Sequence, residues 1–295
     1  MSKPNHAHDS SISFVKMQAN GNDFVVADGR YGLPARLYEL IPRILDRHYG
    51  IGGDGLIVID ASVRAEYKMS YFNADGSRAI CGNGIRCAAR FIYESGLLAD
   101  EERGFELETD AGNIPVQVLQ RGARVKVAFH EPFFEGLRVP TAEAGEHVDV
   151  PIVVDGETHR ITAVGMGNPH CVVITENVSE YPVGVVGPKL ELHEFFPQRT
   201  NVEFVEIVDR RRIKMRVWER GVGETLACGT GACGAVGALI HMGKCANTVV
   251  VETLGGELEV SWDVQAKRIH LTGDAARVFS GEINLQVLRE AWNEQ

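Results

Sequence analysis

The stretch Cys81-Gly82-Asn83-Gly84-Ile85-Arg86-Cys87 returns in altered form as Cys228-Gly229-Thr230-Gly231-Ala232-Cys233-Gly234. Each copy follows a strand-like run and a turn, and each opens a glycine-studded apolar segment of helical length. The first segment runs from Gly84 to Glu94 and stops near Gly96; the second runs from Gly231 to Met242 and stops near Gly243. A glycine just past the last apolar-periodic residue is the usual left-handed helix stop. A thiol at a helix start lies among backbone N–H groups at the positive end of the dipole. That setting favours thiolate and lowers the pKa from about 8.5. Two activated thiols are therefore expected, Cys81 and Cys228.

The likeness extends outward from the cysteines. Gly21 and Asn22 recur as Gly167 and Asn168, and Lys68 and Met69 as Lys214 and Met215, both 146 residues later. Cys81, Gly82, Gly84, Ala88 and Gly96 recur at a spacing of 147, as Cys228, Gly229, Gly231, Ala235 and Gly243. Glu108, Thr109, Gly112 and Val116 recur at 144, as Glu252, Thr253, Gly256 and Val260. A register held within three residues over about a hundred positions reads as a duplicated domain. Two like domains with a pseudo-twofold relation point the starts of their cysteine helices at a shared cleft.

Between these landmarks each half reads as many short strands and one long apolar helix. In the first half strands are expected at 12–17, 23–27, 56–60, 66–72, 105–109, 114–119 and 123–129. A helical rhythm over Leu33 to His48 is divided by Pro42. Residues 137–150 are mixed and polar, a crossing between domains. In the second half strands are expected at 158–165, 170–175, 202–208, 212–218, 248–253, 257–262, 268–273 and 276–281, with a helix near 188–196 and a loop from Glu219 to Ala227. The second cysteine helix is apolar nearly all round and must be enclosed on every side. A curled sheet around it does that, and Gly234, Ala235, Gly237 and Ala238 let strands approach. The fold class is α+β: two pseudo-symmetric domains, each a curled, mostly antiparallel sheet around a central apolar helix.

Bulk properties narrow the chemistry. The chain has 295 residues, 44% of them apolar, enough for two moderate cores. A formal net charge of −10 excludes nucleic acid and an anionic membrane surface as natural partners. The polar opening Met1 to Ser11 reads as a tail and not a signal peptide, and no apolar run approaches membrane-spanning length, so a cytoplasmic protein is expected. Six cysteines without a secretion signal do not form a disulfide framework. Cys171 and Cys245 read as small buried hydrophobes, and Cys87 and Cys233 as core-facing helical residues. Spacings of six and five residues between helix cysteines, without a neighbouring histidine, do not suit zinc, so no metal is expected.

Two glycine patterns compete. Gly50-Ile51-Gly52-Gly53-Asp54-Gly55 has dinucleotide-loop spacing, but a helical stretch precedes it and a strand follows, the reverse of the required order. Gly229 to Gly234 also matches, yet a long loop separates it from its strand where the dinucleotide turn is tight. What both halves keep is the cysteine and an anion-cradling turn. Two opposed thiols suit the inversion of a stereocentre next to a carboxylate, one thiolate removing the proton and one thiol returning it on the other face. N–H groups at both helix starts stabilise the charge that develops on the carboxylate. Closure of the domains on the substrate is expected, to exclude water.

Asn73-Ala74-Asp75-Gly76-Ser77 ahead of Cys81, and Glu219-Arg220-Gly221 with Gly223-Glu224-Thr225 ahead of Cys228, resemble the diaminopimelate epimerase family. So do Gly21-Asn22-Asp23-Phe24, Gly167-Asn168-Pro169-His170 and Thr200-Asn201-Val202-Glu203-Phe204. The resemblance spans nearly the whole chain from about residue 12, with the motifs in family order. It implies an isomerase that interconverts LL- and meso-diaminopimelate without metal or pyridoxal cofactor, in lysine and peptidoglycan precursor synthesis, commonly as a homodimer. It also implies that the C-terminal strand returns to the first domain. The division expected is a tail at 1–11, a first domain at 12–135 with about 283–295, and a second at 136–282, with the site in the cleft between them.

By the same resemblance Cys81 and Cys228 are the acid–base pair, and His170 and Glu219 bond to and tune the thiols. Asn22, Asn73 and Asn83 from the first half, and Asn168, Asn201, Glu219 and Arg220 from the second, are implied substrate contacts. Arg220 suits a forked bond to the distal carboxylate. Gly82, Gly229 and Thr230 are implied to bind the reacting carboxylate through backbone N–H groups. There are departures: Gln18 and Ala19 stand where the family usually has His-Gly, and Gly55 where some members have a glutamine on the substrate. Two other readings stay open. One is a two-cysteine racemase acting on proline, hydroxyproline or histidine; the other is a thiol-based binding or redox-sensing protein on the same fold.

Overall fold

The computed structural model describes residues 11–98 and 103–288. The expected tail therefore lies outside the described residues except for Ser11, which begins the first strand. The described residues form two compact units, one running up to Val125 and resuming at Ala275, the other Lys126–Asp274.

In the first unit the strands are β1 (Ser11–Ala19), β2 (Asn22–Asp28), β3 (Gly55–Ala61), β4 (Tyr67–Asn73), β5 (Phe105–Thr109) and β6 (Gly112–Leu119). A short helix α1 (Ile41–Ile44) lies between β2 and β3, and α2 (Gly82–Glu94) between β4 and β5. In the second unit β7 (Arg124–His130, its first two residues counted with the first unit) leads to β8 (Val150–Val154), β9 (Glu157–Gly165) and β10 (Pro169–Ile174). Helix α3 (Val183–Glu191), β11 (Asn201–Asp209), β12 (Arg212–Glu219) and the short β13 (Gly223–Thr225) follow. The unit ends with α4 (Gly229–His241), β14 (Thr248–Thr253), β15 (Gly256–Asp263) and β16 (Arg268–Asp274). β17 (Ala276–Asn284) belongs to the first unit again and pairs antiparallel with β1, from Ser11 opposite Asn284 onward. The strand expected at 276–281 in the second half is thus hydrogen-bonded into the first.

The duplication is visible strand by strand. β2 runs parallel to β3 with Val26 opposite Ile57, and β10 runs parallel to β11 with Val172 opposite Glu203. β3 and β4 are antiparallel with Ile57 opposite Tyr71, as are β11 and β12 with Glu203 opposite Val217. Each of these pairs is offset by 146. Parallel neighbours also occur at β4–β5 and β12–β14; the remaining pairings named are antiparallel. In each unit one sheet face covers a long helix. α4 is buried from Gly229 to Leu239 apart from Thr230, against β9, β10, β11, β15 and β16. α2 is buried along its Asn83–Ala89 stretch against strands of its own unit. Both helices stop where the glycines foretold, with Gly96 at φ +68° and Gly243 at φ +71°.

The opposite sheet faces carry shorter helical pieces. Leu37, Leu40, Ile41 and Ile44 pack on Val25, Leu56 and Val58 in the first unit. Val183, Val186 and Leu190 of α3 pack on Cys171, Val173, Val202 and Phe204 in the second. Here three expectations are corrected. The stretch 33–48 is not one helix: a 3-10 turn over Ala35–Leu40 and the single turn of α1 replace it, with Pro42 in the first turn of α1. The helix expected near 188–196 lies earlier, at Val183–Glu191, with Pro188 in its interior and its apolar stripe on the sheet. The crossing at 137–150 hands over to β8, a strand hidden by its exposed Pro151 and Val153. The cysteine expectations hold: Cys87, Cys171, Cys233 and Cys245 are all buried.

Candidate active site

Each unit carries one half-site, built at the start of its long helix. In both, the cysteine is the N-cap residue in extended conformation, and its sulfur accepts the N–H of the third helical residue. Gly84 N lies 3.4 Å from Cys81 Sγ, and Gly231 N lies 3.4 Å from Cys228 Sγ. The first-turn positions Gly82 and Asn83, and Gly229 and Thr230, have N–H groups with no acceptor inside the helix, which makes each start an anion cradle.

In the first unit Asn22, at the start of β2, reaches the thiol. Its Oδ1 accepts from Cys81 Sγ at 3.4 Å and from Asn83 Nδ2 at 3.4 Å. The amide is oriented from behind, because its Nδ2 donates to Asp54 Oδ2. Asp54 is held in turn by Arg47 at 2.7 Å, and Arg47 and Lys16 both bind Asp23. Burial opposes the charge of Asp23, but the two cations prevail and hold its carboxyl down at about 2. Asn73, at the end of β4 and opposite Gly55, donates Nδ2 to Ser77 Oγ at 3.0 Å, and its backbone closes the Asn73–Ser77 turn. At Gly55 a Cβ would lie 2.3 Å from the Tyr71 ring, so Tyr71 fills the space that a side chain there would need.

In the second unit the sulfur has charged neighbours. Glu219, at the end of β12, lies within hydrogen-bonding reach of Cys228, and its Oε1 accepts from Thr225 Oγ1 at 2.5 Å. Burial raises the Glu219 carboxyl above its ordinary range, against the Thr225 hydroxyl. The expectation of a lowered thiol pKa is overturned at Cys228. Burial first, then the charges of Glu219 and Glu203, push it well up and outweigh the Thr230 hydroxyl and Gly231 N–H. A helix start favours thiolate only while the sulfur stays solvated, and Cys228 is 8% exposed. Cys228 therefore holds its proton more tightly than an ordinary thiol.

His170 is fully buried on β10. Its Nδ1 is 2.7 Å from Glu203 Oε1 and its Nε2 is 3.0 Å from Asn168 Oδ1. Asn168 Nδ2 donates to Thr230 Oγ1 at 3.5 Å, and Thr230 Oγ1 is 3.5 Å from Cys228 Sγ. His170 thus connects with the thiol through Asn168 and Thr230. Asn201 is buried and committed to backbone: Nδ2 donates to Pro169 O and Oδ1 accepts Arg220 N, both at 2.9 Å. The exposed Arg220 side chain bonds to Gln198 O at 3.2 Å. Glu191 steadies the same loop by accepting Gly221 N at 3.0 Å and Trp218 Nε1 at 2.7 Å.

The structure therefore brings Cys81, Asn22, Asn83 and Gly82 together in one unit, and Cys228, Thr230, Gly229, Asn168, His170, Glu219, Asn201 and Arg220 in the other. Asp54, Glu191, Glu203 and Thr225 are the residues the sequence reading missed. For Glu203 a signal was present, since it stands in an apolar strand one strand-repeat from Asn201 and opposite an apolar residue in the duplicate.

The family model described as diaminopimelate epimerase matches residues 14–134 and 162–278. A diaminopimelate epimerase from Moorella thermoacetica is 45% identical over 280 residues, which cover 93% of this chain and all of that one. One from Heliobacterium modesticaldum is 43% identical over 285 residues, with the same coverage. Among solved structures, a probable proline racemase from Agrobacterium radiobacter has a TM-score of 0.69 at 17% identity, covering 93% of both chains. A hydroxyproline epimerase from Agrobacterium vitis has a TM-score of 0.69 at 16% identity, covering 94% of this chain and 93% of that one. These structures share the two-domain α+β fold.

Proposed function

This chain belongs to the diaminopimelate epimerase family, and on that premise we propose that it interconverts LL- and meso-diaminopimelate with Cys81 and Cys228 as the acid–base pair. It is an isomerase acting on a small amino acid. The observation that carries the reading is the duplicated N-cap cysteine, one per unit, each with a backbone N–H on its sulfur.

The proton bookkeeping is simple. One sulfur, as thiolate, takes the hydrogen from Cα and becomes a thiol. The other, as thiol, gives a hydrogen to the opposite face and becomes a thiolate, so the enzyme ends in the state that catalyses the reverse reaction. A Cα hydrogen beside a carboxylate is a very weak acid. The intermediate charge moves onto the carboxylate, and the first-turn N–H groups at Gly82, Asn83, Gly229 and Thr230 are suited to receive it. The raised Cys228 thiol supplies the donor, and Glu219 beside it disfavours loss of that proton until the carbanion forms. We assign Asn22 and Asn168 to orienting the amino acid near each sulfur, and Arg220 to meeting the far carboxylate. A cytoplasmic homodimer is part of the proposal; apolar Val278 and Phe279, exposed on β17, offer surface for a second copy.

Cys81→Ser and Cys228→Ser are each expected to lower kcat by about a hundredfold or more while isothermal titration still detects substrate binding. Inversion of diaminopimelate by either variant at the parent rate would refute the assignment. Parallel assays with proline, hydroxyproline and histidine separate this reading from the other two-cysteine racemases.

A further inference from the structure

Behind the second thiol lies a buried acid that the first unit lacks. Glu203 is fully buried on β11. Its Oε1 bonds His170 Nδ1, and its Oε2 has no hydrogen-bond partner among the described residues. In the first unit the matching positions, 146 residues earlier, are Ile57 for Glu203 and Phe24 for His170. The surroundings of the two helix starts correspond as well. A Cβ at Gly84 would lie 3.3 Å from Ile57 Cδ1, and one at Gly231 would lie 2.6 Å from Glu203 Oε1. The same scaffold is thus closed once with Phe and Ile and once with His and Glu. Where two apolar side chains suffice, a buried ionisable pair is not needed for folding and commonly weakens it.

The hydrogen bonds around the pair have a direction. Asn168 Oδ1 can only accept, so His170 Nε2 carries a hydrogen. His170 Nδ1 faces a carboxylate oxygen at 2.7 Å, which requires a second proton in that bond. Whether Nδ1 or Glu203 Oε1 holds that proton, the hydrogen on Nε2 stays directed at Asn168. Asn168 then presents Nδ2 to Thr230 Oγ1, which leaves the Thr230 hydroxyl hydrogen free to point at Cys228 Sγ, 3.5 Å away.

We propose that Glu203 is a positioning residue for the reaction: by engaging His170 Nδ1 it keeps a hydrogen on Nε2 and fixes the donor direction through Asn168 and Thr230, so that Thr230 donates to Cys228 Sγ. That donation matters when the sulfur is negative, after it has given its proton to the substrate. Burial and the Glu219 and Glu203 charges all oppose the thiolate there, and Thr230 is one of two donors that favour it. The inference rests on Cys228 being an acid–base group. In Glu203→Leu nothing engages Nδ1, so the ring hydrogen moves there, the Asn168 amide turns over, and Thr230 donates to Asn168 instead of to sulfur.

The test is nitrogen NMR of His170 with selectively labelled histidine, alongside kinetics of the full chain. In the parent Nε2 of His170 is expected to show a protonated-type shift; in Glu203→Leu Nε2 becomes pyridine-type. The variant's kcat falls about tenfold or more with KM within about threefold, and Thr230→Val loses a similar factor. The double variant is no slower than the slower single one, as members of one relay are not additive. A pyridine-type Nε2 on His170 in the parent, parent-rate turnover by Glu203→Leu, or additive losses would overturn the proposal. Should Glu203→Leu fail to fold, the parent spectrum alone decides. Cys228→Ser turning over at the parent rate would instead remove the acid–base reading beneath it, whatever the His170 spectrum.

Discussion

At the residue scale the two thiols differ in company more than in backbone. Cys81 meets an amide, Asn22, whose orientation is fixed by Asp54. Cys228 meets Glu219 and, through Thr230 and Asn168, His170. The raised Cys228 thiol has a direct consequence for reactivity, because only the thiolate attacks an alkylating reagent. In a Cys81→Ser background, alkylation of Cys228 is expected to remain slow at neutral pH and to accelerate only above the ordinary thiol range near about 8.5. Glu219→Gln removes a charge that opposes the thiolate, so the alkylation profile moves to lower pH. Mass spectrometry of the alkylated peptide across a pH series checks both, and an unshifted profile in Glu219→Gln would contradict the placement of that carboxyl.

At the scale of elements, the long helices and their stops were legible because glycine at a left-handed position is a backbone requirement that survives any packing. The strands flanking them were legible from alternation. What was not legible came from tertiary context. A helical rhythm over 33–48 was real in its apolar spacing, but Pro42 and packing on Val25 and Leu56 reduce it to two short pieces. Helix α3 tolerates Pro188 in its interior because Val183, Val186 and Leu190 anchor it to the sheet. The helix-start argument for two activated thiols missed the carboxylates that the sheet brings to Cys228. Glu203 was not singled out as a site residue because β11 also carries Glu206 and Asp209, and only the Ile57 of the duplicate sets it apart.

The close approach of α4 to its surroundings gives a stability prediction. A Cβ on Gly237 would sit 2.7 Å from Pro132 Cγ, a ring that cannot swing aside. Gly237→Ala is expected to destabilise by about 1–3 kcal/mol through overpacking, despite alanine's better helix propensity. Chemical denaturation with a rise in stability would contradict the packing described here.

For the whole molecule, the 146-residue offset turns one chain into two versions of the same unit, and the differences between versions locate chemistry better than either alone. The first version spends its charges on the Lys16, Arg47, Asp23 and Asp54 cluster behind Asn22. The folded-state pKa of Asp23, about 2, is below its ordinary value of 3.8, so its contribution to stability is fully present above the unfolded value. That contribution is lost as pH falls through about 2. In Asp23→Asn this part of the acid-induced loss of stability between pH 4 and 2 is expected to vanish, as read by urea midpoints at each pH. An unchanged acid limb would show that the cluster does not hold Asp23 ionised.

The central claim is that two sulfurs, one from each unit, handle the hydrogen on the two faces of one carbon. Early-time epimerisation of LL-diaminopimelate in deuterium oxide tests it most directly, with isotope content at Cα read separately in product and remaining substrate. The account predicts a meso product that carries deuterium from its first appearance, while the unreacted LL substrate retains its protium. Protium carried across into the product, or deuterium entering the recovered substrate as fast as the product, would contradict it.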